Sequence, residues 1–202
     1  GYDKWYNTIH NRDWTATNIE QSVMTEGGRE ILKQWLWNHN GDYDFNAGGV
    51  AWFGMASIGM KTGPIPNTPT NKQLGLVGKR YVADWGPSYD HAQTIVGYDD
   101  RIEFDLDSNG IYGEKDKDEV GAWIIANSWG NGWENNGFVY CPYARSVTSS
   151  KRSSPWSVTR HFIRKDYEPL RTIKVKLAFS KRSLLWLSVT ATQDTASDVS
   201  TD

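Results

Sequence analysis

The sequence predicts an α+β fold built on a twisted antiparallel sheet, with a β-hairpin appended near its C-terminal end. Three observations carry this expectation. Two apolar, β-branched runs each place a single polar residue at one end: Tyr89-Asp90-His91-Ala92-Gln93-Thr94-Ile95-Val96-Gly97-Tyr98, and Trp123-Ile124-Ile125-Ala126-Asn127-Ser128-Trp129-Gly130. Both read as buried strands. One stretch has clear helical periodicity, from about Glu26 to His39. Past Pro169 the pattern alternates on both sides of a polar turn, as a half-buried hairpin does.

Taken in order, residues 1–24 mix Trp, Tyr, Asn and Thr without a clear period and read as an irregular approach segment. Thr25 is placed to cap the helix, whose Ile31, Leu32, Trp35 and Leu36 share one face, with Glu26, Arg29, Glu30 and Lys33 near the other. Gly41 stands where a left-handed residue closes many helices. Gly48 to Met55 is an apolar strand. Residues 61–71 hold Pro64, Pro66 and Pro69 among Thr and Asn, and read as a loop near the cleft that a substrate would enter. Beyond the Asn127 strand, Gly137-Phe138-Val139-Tyr140 and Trp156–Arg164 read as further strands. In the hairpin Ile173, Val175 and Leu177 alternate with polar residues, Ser180-Lys181-Arg182-Ser183 turns the chain, and Leu185, Leu187 and Val189 alternate again. A lone hairpin is marginally stable, so it either packs on the main domain or begins a further β-domain. The expected division is a main domain over 1–168, the hairpin over 169–192 and a disordered tail over 193–202.

A chain of 202 residues can bury a substantial core. A mean hydropathy of −0.63, and no apolar run near the roughly 20 residues of a spanning helix, exclude a membrane role. The net charge of −2 conceals opposed blocks. Nine acids face three bases between Asp99 and Glu119, whereas eleven Lys or Arg face two acids between Arg145 and Arg182. No recognition helix or aromatic-interleaved motif accompanies the bases, so they read as a solvated face and no nucleic-acid partner is expected. The sequence opens Gly1-Tyr2 with no visible signal peptide. Eleven Trp and ten Tyr, many beside Gly, Asn and Asp, suit packing anchors; the same load is met in bacterial extracytoplasmic and carbohydrate-facing proteins, and an extracytoplasmic or secreted location is expected.

An imidazole that activates a nucleophile needs a second group to fix its tautomer and orientation, and a side-chain amide can do so. His91 and Asn127, 36 residues apart, are candidates for such a pair. Together with Gly132-Trp133 and Gly137, these runs resemble the C-terminal half of papain-like cysteine peptidases, whose pattern is a His heading an "HA…VGY" strand followed by "NSWG…GW…G". The resemblance is dense over 89–140 and weak elsewhere, although the helix, glycine and apolar strand over 26–55 follow the family's order. It implies peptide-bond hydrolysis through a Cys thiolate. His91 would pair with the thiol as imidazolium and protonate the leaving amine, Asn127 would hold the ring, and Trp129 would shield that contact from water. Asp90 also matches the pattern. Gln93, where the family favours an apolar residue, and Glu134, where it favours Gly, depart from it.

The family's nucleophile comes early in the chain, on a helix preceded by an oxyanion-hole Gln. Here the one cysteine, Cys141, follows Asn127. It ends a strand-like run before Pro142 and lacks the helix terminus or neighbouring cation that activates a thiol, so it reads as structural. The resemblance therefore implies a Cys-bearing N-terminal segment or separate chain as partner and a peptide or protein as substrate, with the 202-residue chain inactive alone. The competing expectation is an inactive papain-like binding or structural module, with a glycan-facing variant.

The connection between the two polar-ended strands carries Asp105-Leu106-Asp107-Ser108-Asn109-Gly110-Ile111-Tyr112-Gly113-Glu114-Lys115-Asp116. Oxygen donors at positions 1, 3 and 5, a Gly at 6, a backbone carbonyl at 7 and a carboxylate at 12 are what a Ca²⁺ loop requires. The expected ligands are Asp105, Asp107, Asn109, the Ile111 carbonyl and Asp116. Asp116 has a shorter arm than the usual Glu, and Asp118 or Glu119 are substitutes for it. The alternative is a solvated acidic turn.

Overall fold

A computed structural model describes residues 13–39, 48–146 and 155–163, together with scattered residues and the short run 175–181. The chain divides into two units, 1–167 and 168–202. In the first, eight strands form one sheet: β1 (Asp13–Asn18), β2 (Ala51–Met55), β3 (Lys61–Pro64), β4 (Arg80–Asp84), β5 (His91–Glu103), β6 (Val120–Ala126), β7 (Phe138–Pro142) and β8 (Trp156–Ile163). Their order is β1-β8-β2-β5-β6-β7-β4-β3. Every pairing is antiparallel except β4 with β7, which meet in parallel at Tyr81 and Tyr140. Among the described residues, the helices α1 (Glu26–Asn38) and α2 (Pro69–Gln73) complete this α+β unit.

Helix α1 begins where the capping chemistry requires. Thr25 is extended, and its Oγ1 accepts a hydrogen bond from the Gly28 N–H at 3.1 Å. Leu32 and Trp35, one turn apart, are fully buried, and the Trp35 indole donates to the Val50 carbonyl at 3.0 Å. Burying an indole of roughly 150–250 Å² at about 25 cal/mol/Å² is worth roughly 4–6 kcal/mol, so this ring anchors the helix. Lys33 does not face solvent as its charge suggested. Its ammonium pairs with Asp100 at 2.8 Å and lies over the Tyr98 and Tyr143 rings, its stem covering apolar surface. The left-handed closing residue is His39, at φ +53°, ahead of the expected Gly41, which lies outside the described residues.

On the sheet, Ala51, Phe53 and Met55 of β2, Ile95 of β5, Trp123 and Ile125 of β6 and Val139 and Cys141 of β7 bury their side chains with Leu32 and Trp35. A second cluster, Ile65, Ile102, Phe104 and Ala122, sits at the far end of β5.

Two segments read as irregular are regular here. Asp13–Asn18 forms β1 because its partner, β8, is some 140 residues away, and no local pattern announces so distant a pairing. Within 61–71, Thr68 caps α2 with Pro69 in its first turn, and Lys61–Pro64 pairs with β4. Asn71 is buried and brackets Glu103, its Oδ1 accepting from the Glu103 N–H at 3.0 Å and its Nδ2 donating to the Glu103 carbonyl at 2.8 Å. Glu103 is the last residue of β5 and His91 the first, roughly 35–40 Å apart at about 3.3 Å per residue. Asn71 thus lies at the far end of β5 from His91, whereas Thr62 reaches Glu134 in the loop that follows Asn127, so only the helical part of 61–71 departs from the expected place by the cleft.

Of the expected hairpin, residues 175–181 are not in a strand, and 169–174, 182, 184, 187 and 189–192 lie outside the described residues, as does the tail. Among the described residues no helix is long and apolar enough to cross a membrane.

Candidate active site

The register of the central strands brings His91 to Asn127. On one side Met55 of β2 pairs with His91; on the other, Thr94 of β5 pairs with Ala126, the last residue of β6. Asn127 follows Ala126, so its side chain reaches back toward the head of β5. Its Oδ1 lies 2.9 Å from His91 Nε2. That oxygen also accepts the Ser128 backbone N–H at 2.7 Å. An amide nitrogen cannot accept such a bond, so the backbone fixes which amide atom faces the ring. His91 Nε2 must then be the donor, and in the neutral ring Nδ1 carries the free lone pair. Asn127 selects the tautomer.

The Asn127 backbone is fixed too. Its N–H donates to the Gly137 carbonyl at 2.9 Å, and the Gly137 N–H donates to Trp133 at 2.7 Å, closing a tight loop over 127–137. Gly137 sits at φ +92°, and a Cβ there would lie 3.2 Å from the Gly130 carbonyl oxygen, so glycine is needed on both counts. Trp129 stacks on the His91 ring, centroids 4.8 Å apart and planes within 17°, and meets Trp133 edge-on at 5.4 Å. Trp129 as a whole remains about half exposed, at 48%. The indole covers the imidazole itself rather than only its contact with the amide.

Asp90 works from the opposite side. It accepts the Ser57 N–H at 2.6 Å, the Ser57 hydroxyl at 3.0 Å and the Ile58 N–H at 3.2 Å, fastening the turn after β2 to the head of β5. The Ser57 N–H, with the other donors, holds the Asp90 carboxyl below the usual carboxylate range. Asp90 thus positions the His91 backbone through the turn that its side chain holds.

The two departures from the family pattern have different structural settings. Gln93 points into the core opposite Phe53 and is 3% exposed. Glu134 sits at φ +43°, which explains a preference for Gly at such a place, and reaches Arg80 at 3.3 Å and the Thr62 hydroxyl at 3.0 Å. Cys141 is fully buried within β7 opposite Trp123, deeper than a strand-end residue, with its thiol directed at the Pro142 carbonyl.

In the 105–116 connection the structure brings together Asp105, Asp107 and Glu119, with one oxygen from each within 4.8 Å of the others. Asp116 lies outside this group, in the exposed turn Lys115–Lys117. Asn109 Oδ1 accepts the Ile111 N–H at 2.7 Å. Asp118 is committed to Arg29 of α1 at 2.6 Å. Glu119 was legible only as a substitute donor, because its position 15 falls beyond the twelve-residue frame.

Comparison with known proteins agrees with the runs that define this site. The family model for papain family cysteine proteases matches residues 76–155. Among solved structures, the chain is similar to the SERA5 proenzyme of Plasmodium falciparum at 20% identity and a TM-score of 0.33, covering 57% of this chain and 24% of that one. It is also similar to SERA5E of the same organism at 17% identity and a TM-score of 0.40, covering 83% of this chain and 54% of that one. The chain therefore spans about a quarter and about half of these two. No curated protein matches it.

Proposed function

Starting from residues 76–155 as papain-family sequence, we propose that this chain supplies the histidine and asparagine of a cysteine peptidase whose nucleophilic thiol comes from another segment or chain. The observation that supports this most is the tautomer selection at His91. With Nε2 committed to Asn127, Nδ1 is the nitrogen left to accept a thiol proton. A cysteine brought to within about 3–3.5 Å of Nδ1 would transfer its proton to the ring, giving a thiolate–imidazolium pair. The thiolate attacks the substrate carbonyl, the imidazolium returns its proton to the departing amine, and the acyl-enzyme is hydrolysed by water that the same nitrogen deprotonates. Asn127 holds the ring at every stage, and the Trp129 stack excludes water from one of its faces.

The test is reconstitution. The 202-residue chain is expected to show no peptidase activity alone and to gain it when expressed with the Cys-bearing segment of its own protein, measured with a fluorogenic peptide mixture. In the active assembly His91→Ala should cost roughly 10²–10⁴-fold in kcat/KM, and Asn127→Ala less, because it removes orientation rather than the base. Activity that survives His91→Ala would refute the assignment. A complete assembly that binds peptides without cleaving them would favour the alternative, a papain-like binding module, for which the burial of the chain's single thiol speaks.

A further inference from the structure

We propose that the connection between β5 and β6 is a binding site for a single divalent cation of calcium type, held by Asp105, Asp107 and Glu119. Two oxygens bound to one calcium ion at about 2.3–2.6 Å can stand at most about 5 Å apart. The three carboxylates meet that condition, with one oxygen of each inside a 4.8 Å span. Magnesium, which requires about 2.0–2.1 Å and near-octahedral geometry, fits this spread less well.

The second observation is Glu119. It is 1% exposed, an unusual state for a carboxylate. One oxygen accepts the Leu106 N–H at 2.6 Å and the Asp107 N–H at 3.3 Å, which holds the carboxylate inside the loop. The other, Oε2, is buried and has no hydrogen-bond partner. A buried carboxylate oxygen left unmatched beside two more carboxylates is unfavourable unless a cation completes it. Lys117 does so only in part. Its ammonium contacts Asp107 at 2.7 Å and Glu114 at 2.9 Å. An ion seated among the three carboxylates would compete with Lys117 for Asp107 and satisfy Glu119. The Asn109 side chain, the Ile111 carbonyl and water are the donors available to fill the remaining positions. Glu119 directly precedes β6, and its carbonyl already accepts the Phe104 N–H at 3.0 Å, so the ion would fasten the two strands that carry His91 and Asn127 at their shared far end.

The experiment uses the 202-residue chain stripped of metal. Terbium luminescence, sensitised by Tyr112 in the loop, should appear on titration and be displaced by Ca²⁺ with a Kd on the order of 10⁻⁵–10⁻³ M. At a hundredfold excess over Kd, Ca²⁺ should raise the melting temperature by roughly 5–10 °C, and a chelator should reverse it. Asp107→Asn, an exposed and conservative change, should weaken binding at least tenfold; Glu119→Gln should do the same, and Asp116→Asn should leave it intact. If Glu119→Gln fails to fold, Asp107→Asn carries the comparison. A melting curve and terbium signal indifferent to Ca²⁺, or wild-type binding by Asp107→Asn, overturns the proposal. Loss of binding on Asp116→Asn alone overturns the ligand set.

Discussion

Replacing Gln93 with Met should stabilise the protein, although it removes a polar residue only two positions from His91. Gln93 is 3% exposed, and neither its Oε1 nor its Nε2 has a hydrogen-bond partner. Each buried, unpartnered polar group costs about 1–3 kcal/mol, so the low end for both atoms is about 2 kcal/mol. Methionine keeps the unbranched length, and the difference in shape should cost under about 1.5 kcal/mol. The net expectation is a gain of about 1–2 kcal/mol. At roughly 2–4 °C per kcal/mol for a chain of this size, the melting temperature should rise by about 2–8 °C, measured by near-UV circular dichroism or calorimetry. Gln93→Glu is the control. Burial raises a carboxyl pKa, so the folded state binds more protons than the unfolded one in the neutral range and the variant's stability should fall as pH rises from 5 to 8. A Met variant that melts at or below the parent temperature would refute the reasoning, because it would mean that the amide is satisfied in solution.

Thr25→Ala removes the cap of α1 and should cost about 1 kcal/mol, readable as a lower urea midpoint with an unchanged m-value. The Asp90 clamp is sensitive to acid. The folded carboxyl titrates below its ordinary value of about 3.9, so its contribution is present above that value and is lost as pH falls through the depressed folded pKa. Amide-exchange protection at Ser57 and Ile58 should therefore drop selectively below about pH 4, and Asp90→Ala should show the same loss at neutral pH. Cys141 should resist iodoacetamide until the protein unfolds, and any peptidase activity of the reconstituted assembly should survive Cys141→Ala.

The parts of this fold that were legible in the sequence are those set by short-range chemistry. Thr25 and the spacing of Leu32 and Trp35 located α1 to within one residue, and the β-branched runs located β5 and β6. The His91–Asn127 contact was legible because the two residues terminate adjacent antiparallel strands. What was missed depends on distant partners. β1 exists because β8 lies beside it, and β3 because β4 does. The short α2 hides in a proline-rich stretch that composition alone marks as a loop. At the acidic connection the twelve-residue frame pointed to Asp116, whereas the chain turns through Lys115–Lys117 and continues to Glu119 before its carboxylate folds back. Turn geometry decided that, and side-chain type could not.

The order of the sheet also has a consequence for synthesis. β8 sits between β1 and β2, so neither the edge of β2 nor the whole of β1 can pair until the chain has been made through residue 163. The Ala51↔Arg160 pairing of β2 with β8 spans 109 residues, which a ribosome working at about 5–20 residues per second needs roughly 5–22 s to produce. During that interval the hydrogen-bonding edge of β2 stands open, a template for pairing with other nascent chains. Expression should therefore be more sensitive to translation speed and chaperone supply than the stability of the finished domain would suggest. Chains truncated before residue 156 should aggregate, even though they already contain His91, Asn127 and every strand between β2 and β7.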